Sequence, residues 1–223
     1  MLRLRRAATC AAVLGLLCAP QMAMATPSGL NNIPTADVAP EGLLVLQGFA
    51  SFGREQAPGW FGGLKCGLAQ DWELGLDDTL AGSDSAGSPV LQAKYRMTLK
   101  PGAALALGLA NLSGDRDSNG EPFPYAVVSA GAGPVRGHLG RSWQSGNQAW
   151  FVGLDTPLKD GLALRADWIQ VADGEQSLTS LGFIGQLSPR WLLEGWVSHP
   201  TAAGAADSYV VKLDFVVPLR TER

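Results

Sequence analysis

After its first twenty-five residues, this 223-residue sequence has no stretch approaching the roughly 18 to 20 consecutive apolar residues that a membrane-spanning helix needs. That excludes a helical membrane protein. Charged residues are sparse, at 17%, and there are only two histidines, His138 and His199. The Cys/His spacing of a zinc site, the phosphate-binding P-loop and the dinucleotide fingerprint are all missing. Of the three cysteines, Cys10 and Cys18 fall in the leader described next, which leaves Cys66 without an intramolecular disulfide partner. With Gly 28 and Pro 14, the composition also disfavours a helical bundle.

The leader has a definite order. Arg3, Arg5 and Arg6 precede the apolar run from Ala11 to Ala19, and Ala23-Met24-Ala25 follows as an A-x-A site. This predicts a secretory signal peptide over residues 1–25, cleaved after Ala25. Lipid attachment at Cys18 is disfavoured because Leu17 stands where a small residue is usual. Cleavage removes three positive charges and no acids, taking the net charge from −3 to −6. That balance opposes a nucleic-acid partner.

The remaining chain repeats runs of about ten apolar and aromatic residues bounded by Gly, Pro, Asp, Asn or Ser. Twelve strands are predicted, at residues 43–53, 59–69, 71–80, 89–99, 102–112, 124–132, 134–143, 148–156, 161–171, 176–187, 190–199 and 208–217. Gln70-Asp71, Lys100-Pro101, Gly133-Pro134, Lys159-Asp160 and Ser188-Pro189 read as tight turns, and the connections between them are mostly longer. Short turns on one rim and longer loops on the other fit a transmembrane barrel, whose even strand number returns both ends to the periplasmic side.

Alternation within the strands assigns the faces. In the last strand Tyr209, Val211, Leu213, Phe215 and Val217 oppose Lys212 and Asp214; elsewhere Leu164, Ala166 and Trp168 oppose Arg165 and Asp167. A soluble β-sandwich or secreted barrel also alternates, but soluble strands average five or six residues. Trp60, Trp72, Trp143, Trp150, Trp191, Phe123, Tyr125 and Tyr209 lie near strand ends, as aromatic girdles would. The expected fold is all-β, a closed antiparallel up-and-down transmembrane barrel of about twelve strands. Residues 1–25 form the signal peptide, 26–42 a periplasmic or plug-like segment, 43–219 the barrel and 220–223 a tail.

With the apolar face in lipid, the predicted lumen lining is Lys65, Glu73, Asp77, Lys94, Arg96, Arg136, His138, Arg165, Asp167, Glu194, Lys212 and Asp214. The two signs nearly balance, which disfavours strong ion selectivity and fits either a narrow path or a packed lumen. Residues 26–42 carry Pro27, Pro34 and Pro40, which disfavour a helix or central strand; the segment either enters the lumen or lies beneath it.

Asp115, Asp117, Asn119 and Gly120, followed by Glu121, start like a calcium loop, but Ala126 stands where a bidentate Glu is expected. A solvated acidic loop is the favoured reading, with calcium at Asp115, Asp117, Asn119 and Glu121 as the alternative. No cofactor is otherwise expected. His138 and Ser142 are on one face of one strand, roughly 13 Å apart at the usual rise, too far for a nucleophile and base. His199 has no evident acidic partner in sequence. The His/Ser pair of the twelve-stranded outer-membrane phospholipases, two residues apart, is absent, so an enzyme is not expected.

Two resemblances add to this. The segment Gly29-Leu30-Asn31-Asn32-Ile33-Pro34-Thr35-Ala36-Asp37-Val38, with Pro40-Glu41-Gly42 before the first strand, resembles the opening of YjbH-like outer-membrane proteins associated with exopolysaccharide production. The C-terminus is similar to the signal read by the barrel-assembly machinery: Lys212, Val217 and Leu219 fit, while Asp214 replaces its Gly and Pro218 with residues 220–223 replaces a terminal aromatic. The resemblances imply outer-membrane lipid, the assembly machinery and surface polysaccharide as partners. The favoured function is an envelope structural, assembly or exopolysaccharide-associated barrel with a narrow or plugged lumen. The alternatives are a porin-like channel for small polar solutes, a surface binding protein, or a secreted soluble β-barrel.

Overall fold

The computed structural model describes residues 28–219 apart from 54–55, 82–88, 117–120, 145–146 and 172–175. The predicted signal peptide, the tail and two of the candidate calcium ligands, Asp117 and Asn119, lie outside the described residues.

Twelve strands form one closed sheet: β1 (Leu43–Gly53), β2 (Gln56–Ala69), β3 (Trp72–Ala81), β4 (Val90–Lys100), β5 (Ala103–Leu112), β6 (Phe123–Ala132), β7 (Val135–Gln144), β8 (Asn147–Lys159), β9 (Leu162–Val171), β10 (Gln176–Ser188), β11 (Trp191–Pro200) and β12 (Ser208–Pro218). Each strand pairs antiparallel with its neighbours in sequence, and β1 closes on β12 through the register Leu43↔Pro218 to Gly53↔Ser208. The chain is a closed twelve-strand antiparallel β-barrel.

Strand length and turn chemistry follow from the sequence. The shortest strands have 10 residues; at about 3.3 Å per residue and a tilt near 40° they rise about 25 Å, the height of the apolar band of membrane barrels. Asp71, Gly102 and Gly161 each take a positive φ at the second residue of a two-residue turn. A one-residue register shift accompanies each, between Gly67 and Ala69, Thr98 and Lys100, and Pro157 and Lys159. A tight turn closed by a left-handed residue next to a bulge twists the hairpin in the sense the barrel needs.

Two strands run further than their sequence suggests. β8 continues through Pro157 to Lys159, where Pro157 still faces Ala163 and the bulge absorbs the missing donor. β2 begins at Gln56, three residues before the predicted start.

Side chains alternate as the period of two requires. Leu74, Leu107, Leu139, Leu154, Leu181 and Val211 are exposed on the outer surface, while Glu73, Lys94, Arg165, Asp167, Glu194 and Asp214 are buried inside. Exposed Trp60, Trp143, Trp150 and Tyr209 ring the loop side, with Trp72 and Trp191 on the turn side. Each turn-side Trp packs on a cross-strand aromatic, Tyr95 at 4.8 Å and Phe215 at 4.6 Å. Phe123 and Tyr125 depart from the girdle reading: Tyr125 shares its phase with Val127 and Ser129, so both aromatics point inward and Tyr125 lies across Gly108.

Candidate functional site

The barrel interior is occupied by the chain's own N-terminal segment. Residues 28–40 run inside the wall and return to the turn-side rim, where Gly42 N–H donates to the Gly67 carbonyl and Leu219 N–H donates to the Gly42 carbonyl. Within the segment, Gly29 bridges Pro34 and Leu30 N–H donates to the Ile33 carbonyl, making a tight reversal at Leu30 to Ile33. Pro27 lies outside the described residues; Pro34 and Pro40 sit where no ladder hydrogen bond is needed.

Lumenal charges hold this backbone. Lys94 Nζ donates to the carbonyls of Ser28 at 2.5 Å, Thr35 at 3.2 Å and Asp37 at 2.9 Å. Asp167 Oδ2 accepts from the backbone N–H groups of Asn31 at 2.9 Å and Asn32 at 3.1 Å. Glu73 accepts from Ala39 N–H at 2.7 Å and from the Ser28 hydroxyl, and Lys94 Nζ stands 4.0 Å from it. Asn32 donates to Ser180 and Ser198. The segment has no sheet partner for these donors and acceptors, and burying them unpaired would cost about 1–3 kcal/mol each.

Apolar packing supplies a second grip. Leu30, Ile33 and Ala36 are buried against Ala104, Ala106, Tyr125, Val127 and Phe151 from β5, β6 and β8. Room for the segment comes from inward-facing glycines. A Cβ on Gly153 would collide with Leu30 and Ile33, one on Gly182 with Asn31, and one on Gly67 with the Pro40 carbonyl.

A third element is a ring of polar groups around Ala36 and Asp37. Ala36 N–H donates to Ser129 Oγ at 2.8 Å, Ser129 meets His138 Nδ1 at 2.7 Å, and His138 Nε2 meets Asp155 at 2.8 Å. Arg136 lies 3.8 Å from Asp155 and forks onto Asp37 at 2.9 and 3.0 Å, which closes the ring. A neutral imidazole protonated at Nε2 satisfies every partner, with Ser129 donating to Nδ1. Burial pushes the Asp37 carboxyl up, but the Arg136 fork outweighs it, with help from the charge of Lys94, and holds it below the ordinary 3.8.

The other predicted lining residues form one further network and two separate pairs, with Lys65 apart from them. Arg165 bonds Glu194 at 2.5 Å, Glu194 takes Lys212 at 2.9 Å, and Lys212 stands 3.6 Å from Asp214, which accepts from Gln47. Asp77 accepts from Gln92 at 2.9 Å, and Arg96 pairs with Asp71 at the turn-side rim. Lys65 faces a cavity. Among the described residues, the interior keeps a cavity of about 330 Å³ on the loop side and one of about 70 Å³ near Asp37, Arg136 and Asp155.

Ser129, Asp155, Asp37, Ser180 and Ser198 were not singled out in the sequence. For the four on strands the signal is inward phase alone, which small polar residues carry weakly, and Asp37, outside any strand, has no phase at all. The hydroxyl partner of His138 is Ser129, directly across from it on β6, whereas Ser142 lines the loop-side cavity. His199 does have an acidic partner, Asp207 at 2.6 Å, brought close by the β11–β12 connection and exposed. At the candidate calcium loop, Glu121 pairs with Arg116 at 3.5 Å.

No protein-family model and no curated protein matches the sequence. Solved structures do. The chain is similar to the KdgM porin, with a TM-score of 0.63 at 9% identity over 77% of this chain and 98% of that one. A structure of the KdgM porin in complex with disordered oligogalacturonate gives 0.62 at 9% identity over the same shares. The NanC porin gives 0.59 at 11% identity, again over 77% and 98%. At these identities the likeness is one of fold alone.

Proposed function

We propose that this protein resides in a bacterial outer membrane as a barrel held closed by its own N-terminal segment, and that it serves as an envelope structural or assembly component rather than a free diffusion pore. The outer surface supports the location, since an apolar band between two aromatic girdles suits lipid better than water. The observation that carries the closed state is the use of Glu73, Lys94 and Asp167 to bind the backbone of residues 28–39 from inside the wall. Each such charge-assisted bond contributes about 1.5–3 kcal/mol, so spontaneous withdrawal is rare. A role with surface polysaccharide, and delivery by the barrel-assembly machinery, rest on the sequence resemblances alone.

A porin-like channel that opens when the segment withdraws is the second reading. It is favoured by the hydrogen-bonded rather than wholly apolar character of the interface, because water can replace those partners. Planar bilayers test both readings. The full chain is expected to be silent and a variant lacking residues 28–40 to show discrete conductance steps. Steps from the full chain would support the channel, and silence from a folded deletion variant would show that side chains alone close the lumen.

A further inference from the structure

The loop-side cavity has two unlike walls. Around the barrel from β12 to β4 its lining carries Lys212, Lys65 and Gln92, and from β5 to β9 it carries Ala110, Phe123, Tyr125, Phe151 and Ile169. Its floor is the Leu30 to Ile33 reversal of the N-terminal segment.

The charges of the polar wall are committed, with one exception. Lys94 is capped by three carbonyls, Lys212 by Glu194 and Asp214, and Asp77 by Gln92. Lys65 is half-buried and faces the cavity, yet has no hydrogen-bond or ion-pair partner among the described residues. Glu73, Asp77 and Glu194 act on its ammonium group only from beyond contact, each is engaged with another partner, and Lys212 opposes them, so the Lys65 donors are free for an anion in the recess. The facing aromatic wall asks for an apolar body, and about 330 Å³ admits a molecule of one or two rings.

We propose that this cavity binds a small organic carboxylate, with its anionic group on Lys65 and its ring against Phe123, Tyr125 and Phe151. A cation would meet Lys65 with like charge, and a neutral solute would leave the ammonium unpaired. The inference rests on the docked segment of the proposed function, which supplies the floor.

The test uses the folded full chain in detergent micelles, with 2-naphthoate and its neutral isostere 2-naphthamide measured by equilibrium dialysis against empty micelles. The carboxylate is expected to bind at least roughly tenfold more tightly than the amide, as a charge-assisted hydrogen bond implies. Lys65→Met should abolish that preference, and Lys100→Met, at the exposed turn-side end of β4, should retain it. Equal binding of the two probes, or a preference that survives Lys65→Met, overturns the proposal. A conducting full chain in planar bilayers counts against the docked segment; a silent one without carboxylate preference counts against this site alone.

Discussion

Replacing Gly153 by Val separates the stability of the barrel from that of its contents. Gly153 lies on β8 facing inward, and a Cβ there would meet Leu30 and Ile33, with the Ala166 carbonyl 3.3 Å away. For the strand the change is mildly favourable, because Gly inside a strand is destabilising by roughly 0.5–1 kcal/mol. For the docked segment it is overpacking, which costs about 1–3 kcal/mol. That range corresponds to an open population raised roughly 5- to 150-fold. The assay is maleimide labelling of a cysteine at buried Thr35 in a Cys66→Ser background, with heat-modifiable migration reporting the barrel. Labelling should accelerate within that range while migration is unchanged. An unchanged labelling rate would mean that Leu30 and Ile33 do not hold the segment against β8, and the account of the apolar grip would fail.

Lys94→Met should loosen the same segment further, by roughly 3–5 kcal/mol, because it leaves Glu73 and three carbonyls without their cation; the same labelling rate reads it. Asp37 gives a pH dependence whose sign follows from its depressed folded pKa: its contribution to docking is present above about pH 4 and lost as pH falls through the folded value. Conductance steps of the full chain in planar bilayers should therefore become more frequent below about pH 4, and Asp37→Asn, which lacks the titrating carboxyl, should not show that acid component. Gly161→Ala forces a side chain into a φ of 72° and should cost the barrel roughly 1–2 kcal/mol, measured as a lower urea midpoint at constant slope.

The barrel was legible in the sequence because each strand repeats one signal, period-two alternation between turn residues, and twelve repeats reinforce one another. Strand ends moved where competing chemistry acted, as at Pro157, whose missing donor a bulge absorbs rather than ending β8. The charged lining could be named because Lys and Glu residues stand out in an apolar strand. Its pairing could not be, since Arg165 reaches Glu194 across β10, a relation that depends on curvature and on side-chain length. The segment from Ser28 to Pro40 offered length and proline but no period. Beside the charges, many of the residues that receive it are glycines, serines and alanines whose value is the space or single hydroxyl they provide, and such positions are silent in a hydropathy pattern.

The anchoring of the segment at Gly42, beside the seam between β1 and β12, also fixes an order of events. Residues 28–40 precede every strand in the chain, yet their partners are spread from β3 to β11. This early segment is therefore among the last to acquire its contacts, because its binding surface does not exist until the sheet has curled. Loop-closure entropy opposes such distant contacts until the intervening chain is ordered. Occupancy of the lumen then reports that the barrel has closed in register, and a misregistered sheet, with Asp167, Glu73 and Ser129 displaced from one another, would leave the segment outside.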